Sequence, residues 1–305
     1  MEEIQLASSG PKTTVLIVSH NCAEALRRCL DSLLRTTDRQ AVEIIVVDKG
    51  SRDGSAQLDS EFPGTTFLRL PRNFGYTKAA NIGTRTGAGD YLLLLDPHVE
   101  VTPGALAPLT AILDSDEEAA AACPLLVDES GRPLSRCRKI PAGSDLLDAW
   151  KKGAAGGSAP SDLSGDSVVV EFPPKAAVLV RKQFLRGMNY LDERYGEHGA
   201  DAELFFQIRH AGRKVRLLPG VRVLYRPEEP ELPPDARAQL SADEALAAAA
   251  YAGKHGGVFA GLGIRLLAIL HVLIKLLAFQ SFGYQMSRLL ALAGGQKIDG
   301  SQSAI

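Results

Sequence analysis

Tyr91 to Leu95 reads Tyr-Leu-Leu-Leu-Leu, an unbroken apolar run that stops at Asp96-Pro97-His98. A short apolar run bounded by turn residues suits a strand buried on both faces of a sheet. Three earlier segments share that character: Thr13–Val18, Val42–Val47 and Thr66–Leu70. Between them lie stretches with helical spacing. Ala23–Arg35 places Leu26, Leu30, Leu33 and Leu34 on one stripe, Ser55–Glu61 is short, and Lys78–Thr86 ends at Gly87 and Gly89. Strand and helix therefore alternate four times over, the pattern of an α/β fold with a mostly parallel sheet flanked by helices. Ligands in such sheets bind beyond the carboxyl ends of the strands. That directs attention to Ser19-His20-Asn21, Asp48–Gly54 and Asp96–His98.

The first strand-to-helix turn, Ser19-His20-Asn21-Cys22-Ala23-Glu24, contains no glycine, so the dinucleotide fingerprint is absent. There is neither a phosphate-binding Gly-x-x-x-x-Gly-Lys-Ser/Thr loop nor a Gly-x-Ser-x-Gly nucleophile elbow. The four cysteines, Cys22, Cys29, Cys123 and Cys137, form no Cys-x-x-Cys pair, which leaves zinc and redox motifs unsupported. A net charge of −2 without a long basic run in the first two thirds argues against nucleic-acid binding there. Met1–Lys12 is polar and acidic and lacks an apolar signal core, so a cytoplasmic setting is expected.

Five ordered blocks carry a resemblance: Val15–Asn21, Ile45–Ser55, Arg72-Asn73-Phe74-Gly75, Ala79–Gly83 and Gly89–His98. Together they resemble the family 2 glycosyltransferases, inverting enzymes of the GT-A fold, and within them the rhamnosyltransferase-like group. The likeness extends through Val178–Arg226 and implies a GT-A domain over residues 1–226. It also implies a nucleoside diphosphate sugar as donor and a saccharide or lipid-linked acceptor, in cell-surface polysaccharide synthesis. Ser19, His20 and Asn21 would line the base and ribose pocket. Asp48 would accept a hydrogen bond from the base, with Asp53 and Gly54 shaping the turn. Arg72 and Asn73 would lie near the ribose and diphosphate, and Asn81 and Asp96 would complete the donor site. Gly199-Ala200-Asp201-Ala202-Glu203-Leu204 aligns with the segment that carries the catalytic base, which makes Asp201 the base here. Asp201 also begins an amphipathic stretch, so a plain helix-start role is the competing reading.

Four positions depart from the family pattern. Lys49 follows Asp48, His98 replaces an acid of the central motif, Ala200 replaces a glutamate, and Arg226 stands where a histidine is usual. Asp96 and His98 are then the candidate ligands of a weakly held, manganese-preferring ion, magnesium being the other candidate, and Arg226 is expected to offset the diphosphate charge. The departures leave a second reading open, a GT-A scaffold without catalysis that binds a nucleotide or a protein.

Elsewhere, Trp150 is read as packing rather than a sugar platform, and the Gly/Ala/Ser-rich segment 153–165 as a mobile surface loop. Pro227–Pro234 holds four prolines among acidic residues, so 227–240 is expected to be a linker. Residues 241–305 are expected to form a separate helical tail. Its apolar part, 259–293, is interrupted by Arg265, His271, Lys275 and Arg288. Those cations suit a helix lying in a membrane interface better than one spanning it. A helix packed on its own domain or in a dimer is the alternative.

Overall fold

The computed structural model describes residues 12–38, 40–134, 137–153, 164–228 and 232–301. In chain order it begins β1 (Thr13–Ser19), α1 (Ala23–Thr36), β2 (Val42–Asp48), α2 (Leu58–Glu61), β3 (Thr66–Arg69), α3 (Tyr76–Thr86) and β4 (Tyr91–Leu95). There follow β5 (Val99–Glu100), α4 (Leu106–Ser115), β6 (Ala119–Val127), α5 (Gly143–Lys152), β7 (Val168–Val170), β8 (Ala177–Arg181), α6 (Lys182–Gly187) and α7 (Ala200–His210). The chain closes with β9 (Lys214–Tyr225), α8 (Pro234–Gly256), α9 (Val258–Leu277) and α10 (Phe282–Gly294).

The strands of the first half alternate cleanly. Leu16, Val18, Ile45, Val47, Leu92 and Leu94 enter one core, while Val15, Ile17, Ile44, Val46, Leu93 and Leu95 enter another on the opposite face. A two-residue period with both faces apolar is what a sheet covered by helices on each side requires. Helix α1 closes one face with Leu26, Leu30 and Leu33. Helix α3 closes the other by close approach: a Cβ on Gly83 would run into the Leu16 side chain, so only glycine lets the helix lie this near the strand.

The sheet is parallel through β3-β2-β1-β4 and mixed beyond, because β8 runs antiparallel to β4 and to β6. Hence the first half is wholly parallel, whereas the second mixes antiparallel pairs with the parallel pair β6–β9. The predicted helix over Ser55–Glu61 is a 3-10 turn, Gly54–Gln57, followed by the short α2. Trp150 packs as expected, buried with its indole N–H donating to the Ser241 carbonyl at 2.7 Å. The predicted loop at 153–165 falls mainly outside the described residues.

The C-terminal region departs most from expectation. The expected linker, 227–240, is helical from Pro234 onward, with Pro234 at the first turn, where a missing N–H costs nothing. Nor is the tail separate from the sheet domain. Ala247 and Tyr251 of α8 belong to the same core as the β-strands and α7, and a further core joins α5, α8, α9 and α10. Two of the cations assigned to a lipid surface face inward. Arg265 donates to the carbonyls of Leu292 and Ala293 at 3.0 and 2.8 Å, closing the end of α10. Arg288 is 5% exposed and lies 4.5 Å from the Trp150 ring. The apolar row expected to meet lipid does remain exposed, from Phe259 and Leu262 through Leu266 and Leu270 to Ile274 and Leu277. Among the described residues α9 is the one helix long and apolar enough to cross a membrane.

Candidate active site

The register of the parallel strands sets Ser19 beside Asp48 and Ile17 beside Leu95. Loops 19–22, 48–54 and 96–98 therefore leave the same sheet edge together. Between them lies a cleft of about 380 Å³ whose lining includes His20, Asn21, Lys49, Asp96 and His98. Tyr76, Lys175, Glu197 and Glu228 also stand in its walls.

Side chains hold the first two loops rigidly. Asn21 adopts a left-handed φ of 48°, accepts the Arg52 N–H at 2.8 Å, and donates its own backbone N–H to Ser51 Oγ at 2.9 Å. Asn and Asp tolerate that conformation best among residues with a side chain. The Asp53 carboxylate accepts from Ala23 N at 2.8 Å and from Ser55 N at 3.0 Å, joining the start of α1 to the 3-10 turn. This is the turn-shaping part expected of Asp53. Asp48 is buried and accepts from the Ser51 N–H and hydroxyl. Much of its acceptor capacity is thus spent on its own loop. Ser19 Oγ and His20 Nδ1 are buried without a partner among the described residues. Of these two residues, His20 lines the cleft and Ser19 is not among its lining residues.

On the floor, Asp96 Oδ1 accepts from His98 N at 2.9 Å and lies 2.8 Å from His98 Nδ1. That hydrogen bond raises the imidazole pKa against the opposing effect of burial. Lys49 is buried, its ammonium 2.6 Å from each carboxylate oxygen of Glu197. Burial alone would raise the Glu197 pKa, but the Lys49 charge and hydrogen bonds bring it down to about 2. Glu197 also accepts the Tyr76 N–H at 2.9 Å. Burial raises the Tyr76 phenol well above its ordinary value, and the charges of Asp201, Asp96 and Glu197 add to the effect in that order. Lys175 brings a cation to this wall, 4.8 Å from the Tyr76 ring centre. Asp201 sits in the first turn of α7, partly exposed, with no hydrogen-bond partner among the described residues.

Several expected site residues lie elsewhere. Asn73 is buried and its side-chain oxygen holds the Gly75 N–H at 2.9 Å. The Asn81 amide is committed to both backbone groups of Leu191 and to Glu193, which fixes α3 to the 191–193 loop outside the cleft. Arg72 is exposed, 5.2 Å from the Phe74 ring. Arg226 begins well, its N–H bonding the His98 carbonyl at 3.0 Å. Its guanidinium then turns to Glu100 and to Glu129, the latter at 2.8 Å. Two carboxylates pair with it, and Arg226 is not among the residues that line the cleft, whereas Lys175 is. Lys175 escaped notice because it precedes β8 in sequence. Only the antiparallel pairing of β8 with β4, and the Asp96 N–H bond to Ala176 O at 2.8 Å, bring it beside Asp96. Glu197 was signalled indirectly, since a lysine at the end of a buried strand requires a partner.

A divalent ion fits this set poorly. Asp96 and His98 bond to each other, Arg226 supplies no ligand, and no cluster of three or more His, Cys, Asp or Glu side chains arranged to hold a metal occurs among the described residues. The pair alone makes an incomplete metal site.

Residues 14–155 match the family model described as glycosyl transferase family 2. These residues form a family 2 glycosyltransferase domain. The chain is 26% identical over 233 residues to the N-acetylglucosaminyl-diphospho-decaprenol L-rhamnosyltransferase of Mycobacterium tuberculosis, a match covering 69% of this chain and 75% of that protein. It is 26% identical over 230 residues to the probable polypeptide N-acetylgalactosaminyltransferase 8 of Homo sapiens, covering 70% of this chain but 36% of that protein. The chain thus spans about a third of that curated relative. Among solved structures, GalNAc-T7 with UDP, GalNAc and Mn2+ superposes with a TM-score of 0.56 at 22% identity, over 72% of this chain and 44% of that one. Such a likeness establishes the GT-A fold for the family 2 domain and its neighbouring elements.

Proposed function

We propose that the chain is an inverting glycosyltransferase that moves a sugar from a nucleoside diphosphate donor to a hydroxyl of a lipid-linked saccharide. The observation that carries this reading is the cleft at the carboxyl ends of β1, β2 and β4, with His20 and Asp96 in its lining and Lys175 on its wall, in residues that match a glycosyltransferase family. The nucleoside occupies the side bounded by His20 and Asn21. Lys175 meets the diphosphate, and Lys49 takes part only as far as Glu197 releases it. The acceptor hydroxyl attacks the anomeric carbon from the face opposite the diphosphate, and Asp201 takes its proton. The carbon–oxygen bond to the diphosphate breaks, and the nucleoside diphosphate departs with that electron pair. One such displacement inverts the anomeric centre. Charge on the leaving group is offset by fixed protein charges. No step is assigned to a divalent ion, because the donor set does not fit one.

The Mycobacterium tuberculosis relative, covered over 75% of its length, is by name a transferase to a diphospho-decaprenol acceptor, and the exposed apolar row of α9 suits a protein working at a membrane surface. We place the chain on the cytoplasmic membrane face accordingly. The experiment is transfer from UDP-, dTDP- and GDP-sugars by purified protein, alongside Asp201→Asn. Asn keeps the shape but cannot take a proton. Transfer by wild type and its loss in the variant, with nucleotide affinity retained, are the expected results. Nucleotide binding without transfer from any donor would instead favour the noncatalytic scaffold, which the Lys49–Glu197 pair inside the cleft also suits.

A further inference from the structure

Two residues of the cleft wall, Tyr76 and Glu197, each follow a glycine, and a single carbonyl lies against both glycines. A Cβ built on Gly75 would stand 2.8 Å from the Ile298 oxygen, and one built on Gly196 would stand 3.0 Å from it. The backbone of Ile298 is thus wedged against the chain one residue before each of the two. The two loops it touches are also bonded to one another. Tyr76 N–H donates to the Glu197 carboxylate at 2.9 Å, and Thr77 donates its N–H and its hydroxyl to the Gly196 carbonyl at 3.1 and 2.9 Å.

What holds Ile298 there is a buried carboxylate. The Asp243 side chain is wholly inaccessible, and it accepts Ile298 N–H at 2.9 Å through one oxygen and the N–H groups of Glu197 and His198, both at 3.0 Å, through the other. Hydrogen bonds to a charged group in a dry setting are the strong ones, so this carboxylate joins α8, the cleft wall and residue 298 firmly. On either side of Ile298 the segment is fastened again. The Lys297 ammonium donates to the Glu193 carbonyl at 2.7 Å, and Gly300, at a φ of 88°, lies so close to the Phe74 ring that a Cβ would stand 2.5 Å from it. Ile298 is 1% exposed, yet it joins none of the three apolar cores among the described residues. Neither Ile298 nor Asp243 is among the residues that line the cleft.

We infer that residues 297–300 form a strap across the back of the nucleotide cleft, and that Ile298 and Asp243 are positioning residues for donor binding, acting through Tyr76 and Glu197. The identity of the ligand, a nucleoside diphosphate, rests on the proposed transferase reading; the strap itself does not. Asp201 is set by other contacts. Gly199, two residues before it, packs so tightly that a Cβ would stand 2.7 Å from the Tyr195 ring and 2.9 Å from Ala247, and α7 enters the core through Leu204 and Phe205. The strap therefore governs how well the donor is held, and the proton transfer assigned to Asp201 proceeds without it.

The test compares the full chain with two full-length variants and one shortened chain. Ile298→Pro removes the N–H that Asp243 accepts, and Ile298→Val keeps it. A chain ending at Gln296 lacks the strap but retains the end of α10, where Gln296 N–H donates to the Ala291 carbonyl at 2.9 Å. Calorimetric titration with UDP, dTDP and GDP gives affinity, and amide hydrogen exchange reports the wall directly. We expect Ile298→Pro and the shortened chain to bind nucleoside diphosphate at least ~10-fold more weakly, the effect of losing one hydrogen bond to a charged group. Exchange should quicken at Tyr76, Thr77, Glu197 and His198 and stay as it was along β1 and β2, the mark of a local opening. Ile298→Val should match wild type in both measurements. With a donor that supports transfer, KM for the donor should rise in Ile298→Pro while kcat holds. Unchanged affinity in both strap variants, exchange that quickens equally throughout the sheet, or a fall in kcat with KM unmoved would overturn the inference. If wild type binds none of the three nucleotides while exchange changes at those four amides alone, the transferase reading fails and the strap stands.

Discussion

Lys49 and Glu197 are 148 positions apart in sequence, yet the Lys49 ammonium lies 2.6 Å from both carboxylate oxygens of Glu197. The lysine side chain is 5% exposed and the glutamate 21%. The pair ties the end of β2 to the loop before α7, one wall of the cleft to the other. Removing one member leaves a buried charge alone, which costs about 3–5 kcal/mol. Glu197→Gln should lower stability by that order in urea unfolding. A loss under about 1 kcal/mol would mean that solvent reaches Lys49 freely.

The same pair sets an acid limit. Glu197 has a folded pKa of about 2 against an ordinary 4.5. A depressed carboxylate contributes stability that is complete above the unfolded pKa and is lost as pH falls through the folded one. Wild type should therefore lose about 3 kcal/mol from this group between roughly pH 5 and pH 2. Glu197→Gln should lack that component. Parallel stability-versus-pH curves for the two proteins would refute the assignment.

Lys175 and Arg226 separate two accounts of the diphosphate. Lys175 lines the cleft, whereas Arg226 is held by Glu100 and Glu129. Lys175→Ala should weaken nucleoside diphosphate binding about tenfold, the value of one hydrogen bond to a charged group. Arg226→Ala should leave it unchanged. Calorimetric titration decides, and the reverse outcome restores Arg226 to the site.

Asp243 on α8 is a remote support. Its carboxylate accepts Glu197 N and His198 N, both at 3.0 Å, and Ile298 N at 2.9 Å, and it lies 3.1 Å from His198 Nδ1. Burial pulls the His198 pKa down, but this bond and the carboxylate charge outweigh it and hold the value above normal. Asp243→Asn should lower the His198 pKa in an NMR titration and loosen the Glu197 loop. An unshifted His198 would show that the carboxylate does not govern it.

Ending the chain at Glu228 should abolish folding rather than release a sheet domain, because Ala247 and Tyr251 complete the core around Phe205 and Leu204. A soluble truncated protein with a cooperative thermal transition would contradict this.

What the sequence disclosed follows from the range of the interactions. The strands β1, β2 and β4 were legible because their apolar runs are local, and the register then gathered His20, Asn21, Asp96 and His98 without further information. Asp53 was legible as a turn residue for the same reason. The second half was less so. Tyr251, Asp243 and Lys175 reach their neighbours through pairings that no local pattern encodes. Pro227–Pro234 reads as an extended linker, although Pro234 opens a helix. Asn81 and Arg226 were misplaced because sequence position predicts where a backbone goes but not which neighbour captures an amide or a guanidinium.

The fastening of Glu197 by Asp243 and Ile298 has a consequence in time. Ile298 also lies against the donor-side loop, its carbonyl 2.8 Å from where a Cβ on Gly75 would stand. Ribosomes deliver residues in order, so the wall of the nucleotide cleft waits on residues made after the family 2 domain has already emerged. A nascent chain stalled before α8 should therefore fail to retain nucleotide. Competence then arrives late in synthesis, which keeps a half-made enzyme from engaging donor before α8 and the helices after it are made.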